Sequence, residues 1–103
     1  MILQAEESAK DAMVASATNL AAMAQQFYKK PVAMAGGGGS FSTANGASVA
    51  FTIPATLQTD ANGEYIPTVE DQQVTIQGNP NDYTWTVTTI VTPLTINSSI
   101  SAP

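Results

Sequence analysis

Apolar residues recur every three or four positions as far as Tyr28, and every second position from Ala47 onward. The first period is that of a helix, the second that of half-buried strands. Ile2, Ala5, Ala9, Met13, Ala17, Leu20, Ala24 and Phe27 form one stripe, with no Gly or Pro to interrupt it. The pattern predicts an unbroken amphipathic helix from Met1 to Tyr28, about 40 Å long at ~1.5 Å per residue. Most of the stripe is Ala, which lets a partner backbone come close. Ala12, Met13, Val14 and Ala15 with Ala21, Ala22 and Met23 make the helix apolar on more than one side, so either it is deeply buried or a second face, with Val14, Ala21 and Ala22, meets other subunits. Glu6 and Lys10, four apart in the favourable order, are expected to pair.

Pro31 disfavours helix at Lys30 and ends the element. Gly36, Gly37, Gly38 and Gly39 follow, within a connecting loop over 31–46. Val49, Phe51 and Ile53 then alternate with Ser48, Ala50 and Thr52, predicting a strand closed by Pro54. Asp60-Ala61-Asn62-Gly63 reads as a tight hairpin turn, since Asn-Gly suits left-handed backbone. Glu64–Val69 is expected as an edge strand, because Pro67 cannot donate to a ladder. Gln72–Gln77 follows, with Val74 and Ile76 inward. Gly78-Asn79-Pro80 reads as a turn. Tyr83–Val91 reads as the longest and most central strand, and Leu94–Ile100 as a possible last one. The expected fold class is α+β: a single domain with a long N-terminal α-helix (1–30) packed on a small antiparallel β-sheet (47–103).

Composition narrows the function. Of 103 residues only 11% are charged, with eight acids, three lysines and no Arg, for a net charge of −5. Nucleic-acid binding needs phosphate-neutralising cations, so none is expected. Lys29 and Lys30 stand where cations complement the negative end of a helix dipole. The chain contains no Cys or His, which removes disulfides and the commonest general base. No stretch is long and apolar enough to span a membrane.

Particular phrases carry a resemblance. Asn19-Leu20-Ala21, then Ala24-Gln25-Gln26-Phe27-Tyr28-Lys29-Lys30-Pro31, then the glycine run with Ser40-Phe41, is similar to a stretch found in bacterial pilin-like proteins. Phe51-Thr52-Ile53-Pro54, Leu57, Asn62-Gly63-Glu64-Tyr65 and Val74-Thr75-Ile76-Gln77-Gly78 resemble strand phrases of the same group. The layout resembles the globular half of type IV pilins and of the pseudopilins of type II secretion. The resemblance implies a structural subunit of a pilus-like filament or pseudopilus, at a bacterial cell surface, outside the cell or in the periplasm. It would self-associate through its N-terminal helix and meet other pilins or pseudopilins. The family's apolar N-terminal segment, its only contact with the membrane, is absent here. Met1, Ile2 and Leu3 are expected to continue into it, and the start at Met1 reads as the cut end of a longer helix. The alternative is a non-catalytic β-rich module that recognises carbohydrate or a surface, with the helix as a brace.

Sites are few. Asp60, Asn62 and Glu64 alternate around a Gly as in half of a calcium loop, which Glu70 and Asp71 could complete if the hairpin folded back. Major pseudopilins resemble this chain and hold calcium in the sheet region. The same residues read first as a turn, and no other cofactor is expected. A glycine run can cradle phosphate, but Ser40 to Gly46 reads as loop where a phosphate site needs a helix. Tyr83 and Trp85 could form a sugar platform, although alternation places Trp85 in the core. Asn97-Ser98-Ser99 matches a glycosylation acceptor pattern. No pair of groups predicts catalysis, so the chain is not expected to be an enzyme.

Overall fold

A computed structural model describes residues 4–101 of the chain. The expectations placed on Met1, Ile2 and Leu3 lie outside the described residues. Helix α1 runs Gln4–Lys29 without a break, about 39 Å at ~1.5 Å per residue. Glu6 and Glu7 in its first turn and Lys29 in its last complement the helix dipole. Four strands follow: β1 (Gly63–Val69), β2 (Val74–Pro80), β3 (Thr86–Val91) and β4 (Ile96–Ser101). They form one antiparallel meander in the order β1-β2-β3-β4. The expected α+β class therefore holds, with the helix laid across β2 and β3 and reaching β4.

The stripe seats the helix. Ala9, Met13, Ala17, Leu20 and Ala24 are buried against Tyr65, Val74, Ile76, Val87 and Val91 from the sheet. Burying one large apolar side chain is worth about 1.5–3 kcal/mol, so Met13, Ile76 and their neighbours carry most of the stability. Ala5, expected on the stripe, is exposed.

The second apolar face does not form as expected. Ala21 is wholly buried in the same core, because it follows Ala17 by four residues and precedes Ala24 by three. Val14 and Met23 are half-buried against that core. What the helix turns to solvent is Glu7, Ser8, Asp11, Ala15, Thr18, Asn19 and Gln26, with Ala22 half-buried. Lys10 lies 3.9 Å from Glu7 rather than pairing with Glu6, and its ammonium stands 5.8 Å from the Trp85 ring centre.

The glycine run is a helix cap. After Pro31 a short 3-10 turn (Val32–Met34) reverses the chain. The N–H groups of Gly37 and Gly39 then donate to the carbonyls of Phe27 and Tyr28, both at 2.8 Å, and that of Gly38 to Lys30 at 2.9 Å. These are the orphan carbonyls that every helix leaves at its end. A Cβ at Gly36 would collide with the Lys30 carbonyl, and one at Gly37 with that of Ser40. Gly38 and Gly39 adopt φ of 61° and 92°, which side chains resist.

Beyond the cap, Phe41 packs on Tyr28 with ring centres 4.8 Å apart, and Phe51 on Phe27 at 6.0 Å. Phe51 and Ile53 are buried as predicted, but 47–53 is not a strand. It is an irregular segment, bent at Ser48 and Val49, and tied by the bond from Phe51 N–H to the Phe41 carbonyl and from the Gln58 amide to the Ile53 carbonyl. Val49 is left 65% exposed.

The strand boundaries also move. Asn79 and Pro80, read as a turn, pair with Glu64 and Gly63 and belong to β2. Tyr83 and Trp85 precede β3, and Leu94 is the exposed tip of the β3–β4 hairpin. Two glutamines tie the hairpins to the helix. The Gln25 amide donates to the carbonyls of Thr92 at 3.0 Å and Thr95 at 3.3 Å. Gln72 accepts from the Tyr28 hydroxyl at 2.7 Å and donates to the Gly39 carbonyl at 3.0 Å.

Two substitutions test this packing. Ala21→Glu, which places an unpaired carboxylate in the core, costs more than about 3 kcal/mol, whereas Ala15→Glu on the solvent face stays within about 0.5 kcal/mol. Urea denaturation of both variants checks the contrast; equal midpoints would disprove the burial. Gly37→Ala costs roughly 1–3 kcal/mol by overpacking and lowers amide-exchange protection at Gly39.

Candidate functional site

The turn singled out in the sequence sits against the helix. A second 3-10 turn (Ala55–Leu57) leads into Thr59, which bridges to Glu64, while Tyr65 N–H donates to the Gln58 carbonyl at 2.8 Å. The Asp60 N–H donates to the Gly63 carbonyl at 2.9 Å and closes the turn. Oδ1 of Asp60 accepts from the N–H groups of Asn62 at 2.8 Å and Gly63 at 3.1 Å. Gly63 does not use the left-handed region that the Asn-Gly signal suggests. It is needed because a Cβ there would strike the Asn79 carbonyl.

Oδ2 of Asp60 points the other way, towards the helix. It accepts from the Tyr65 hydroxyl at 2.9 Å, with Ser16 Oγ at 3.5 Å. Burial pushes the Tyr65 phenol up from 10.0 to about 12. The Asp60 carboxylate adds to the shift by holding the proton, and the Ser16 hydroxyl acts in the opposite sense. A pocket of about 90 Å³ opens beside this cluster, lined by Ser16, Asn19, Leu20, Thr56, Leu57 and Thr59. It has room for a few waters and is small beside the ~300–1,000 Å³ of ordinary ligand sites.

The structure does not gather the calcium candidates. Asp60 and Asn62 share the turn, and both Asp60 oxygens are engaged within the protein. Glu64 precedes the buried Tyr65 on β1, so it projects from the opposite face of the sheet and is exposed. Glu70 and Asp71 follow the far end of β1, roughly 20 Å away at ~3.3 Å per residue. The Asp71 carbonyl is occupied by Phe41 N–H at 2.9 Å. Among the described residues no three acidic side chains converge as metal ligands. These residues therefore do not fit a calcium loop.

The other candidates resolve in the same way. The glycine run is spent on the helix end. Tyr83 and Trp85 stack on each other, with ring centres 5.5 Å apart and planes at 15°, and Trp85 is buried with its Nε1 unpaired. A sugar platform needs that face free. A shallow groove of about 350 Å³ between Met23, Phe27 and Val49 has Lys30 as its only ionisable residue. Asn97 is exposed on β4. Among the described residues no helix is long and apolar enough to cross a membrane. Sequence reading missed the Asp60–Tyr65 contact and both glutamine ties. The cap had a visible signal, namely glycines placed just past a helix stopped by proline.

Comparison with protein-family models, curated proteins and solved structures finds no match.

The Tyr65 environment gives a pH prediction. Its folded-state value lies above the unfolded one, so its contribution to stability is whole below pH 10 and is lost as pH rises through about 12. Ultraviolet titration should show one phenol ionising late. Tyr65→Phe should remove that step and flatten stability over the same range; an unchanged titration would disprove the assignment.

Proposed function

We propose that the protein is a structural subunit of a type IV pilus-like filament or pseudopilus, with packing as its work and no catalysis. The observation that carries this reading is the unbroken 26-residue helix, whose first turn and a quarter before Ala9 buries no described side chain in the domain. A rod of about 39 Å outruns strands of six or seven residues, which span about 20–23 Å. The phrases that resemble those of pilin-like proteins support the reading, as does the succession of helix, glycine loop and four-stranded meander.

Under this proposal the filament belongs to a bacterial surface or periplasm. Subunits meet along the helix through its exposed small residues Ala15 and Thr18 and the half-buried Ala22. Between Asp11 and Lys29 the outer helix face carries no charge, so copies approach there without strong repulsion. A carbohydrate-binding module is less well supported, because the two aromatic rings it would use cover each other.

The test is imaging of sheared surface fractions from the source bacterium. Filaments containing this chain are expected. Ala15→Arg with Thr18→Arg should reduce their yield by about tenfold or more, the effect of ~1.4 kcal/mol per contact, while the folded monomer is retained. Absence of filaments containing the wild-type chain would overturn the proposal.

A further inference from the structure

The two edges of the sheet are unlike. On β1, Thr59 bridges to Glu64, Gln58 takes the Tyr65 N–H, and Pro67 has no N–H to offer. Glu64 adds a charge. These are the usual guards of a sheet edge. β4 has none of them. Its sequence Ile-Asn-Ser-Ser-Ile-Ser holds no charge and no proline. No described residue outside β3 bonds to its main chain.

The register says which groups are free. Thr92 N–H donates to the Thr95 carbonyl at 2.9 Å, so that pair is hydrogen-bonded. Alternation along the ladder makes Ile90–Asn97 and Thr88–Ser99 hydrogen-bonded pairs as well. The N–H and C=O groups of Ile96, Ser98 and Ile100 therefore point away from the sheet. On the helix-facing side the same residues present two isoleucines, one half-buried and the other 41% exposed, around a central serine.

This pattern is self-complementary. We propose that β4 pairs antiparallel with β4 of a second copy of this chain, about a two-fold axis at Ser98. Ile96 then faces Ile100 of the other copy, and Ser98 faces Ser98. All three facing pairs use outward-pointing groups, giving about six new main-chain bonds, two per pair. The two isoleucine pairs lie on the same side as each subunit's helix, and the two sheets join into one of eight strands. The net charge of −5 opposes association in general, but the strand itself is uncharged, and Glu64, Glu70 and Asp71 lie at or beyond β1, at the far edge. A six-residue edge is small beside the roughly 1,200 Å² of a stable interface, so the dimer is weak and concentration-dependent. It is a lateral contact, separate from helix packing, and it stands or falls independently of the filament.

Sedimentation velocity from about 10 µM to about 1 mM, a range that brackets weak association, tests it. The wild-type chain should shift from monomer to dimer across that range. Ile100→Pro should stay monomeric with an unchanged circular dichroism spectrum, because the N–H it removes bonds nothing within the subunit, whereas Ser98 also holds the buried Thr89 Oγ1 at 2.8 Å. Since the chain has no Cys, Ser98→Cys gives one thiol at the axis, where the Cα separation of about 5.5 Å in a hydrogen-bonded pair suits a disulfide. Its oxidation to a linked dimer should run about tenfold faster than that of Leu94→Cys, through raised effective concentration. A wild-type chain that stays monomeric throughout, or equal oxidation rates for the two variants, would overturn the proposal.

Discussion

Gly36 and Gly37 let the chain turn back across the carboxyl end of α1 at a distance no side chain permits, and Gly38 and Gly39 supply the positive φ of the turn. Everything after the helix is placed by that return. The N–H groups of Gly37, Gly38 and Gly39 take up the last helix carbonyls and leave Ser40 and Phe41 pointing into the core. Ser40 is wholly buried, and its hydroxyl donates to the Asp71 carbonyl at 3.3 Å. With the Phe41 N–H on the same carbonyl, the β1–β2 turn is docked against the cap. The sheet is thus held to the rod at one end by main chain and along its length by alanine.

Small residues on the helix set how closely the two layers approach. Ala17, Ala21 and Ala24 have no exposed surface, and the bulk of the contact comes from Met13 and the sheet valines. The glutamines act at the two ends: Gln25 holds the β3–β4 hairpin and Gln72 the β1–β2 hairpin. Gln25 meets the Thr92 carbonyl and shares that of Thr95 with the Thr92 N–H, and Gln72 meets the Gly39 carbonyl. The Tyr65 hydroxyl does the same beside β1, where Asp60 serves both its own turn and the tyrosine.

The helix was legible in the sequence because its cause is local: period, composition and a proline stop. Its second face was misread because Ala21 fits the stripe as well as Leu20 does, and period alone does not say how wide the buried sector is. Alternation over Val49, Phe51 and Ile53 reported burial correctly for Phe51 and Ile53 but not for Val49, and it did not report pairing, since a segment can seat two side chains in the core without joining a ladder. Strand ends shifted for a related reason. Asn79 and Pro80 carry turn chemistry, yet the register with Gly63 and Glu64 extends β2 over them. At the candidate site the Asp60 turn was readable from its own residues. Its tyrosine and serine partners were not, because they come from a strand and from a helix 44 residues away in sequence. Glu64 failed as a ligand through strand parity, which its spacing from Asp60 did not reveal.

The carbonyls of Phe27 and Tyr28 at the end of α1 are met by main-chain N–H groups rather than by a side chain. Many helix termini rely on a lysine or histidine to quiet their last carbonyls, and such an arrangement weakens when the medium turns alkaline or briny. Here peptide N–H groups take the Phe27 and Tyr28 carbonyls, so those two bonds carry no formal charge for counter-ions to shield, while Lys29 in the same turn adds a charge that salt does screen.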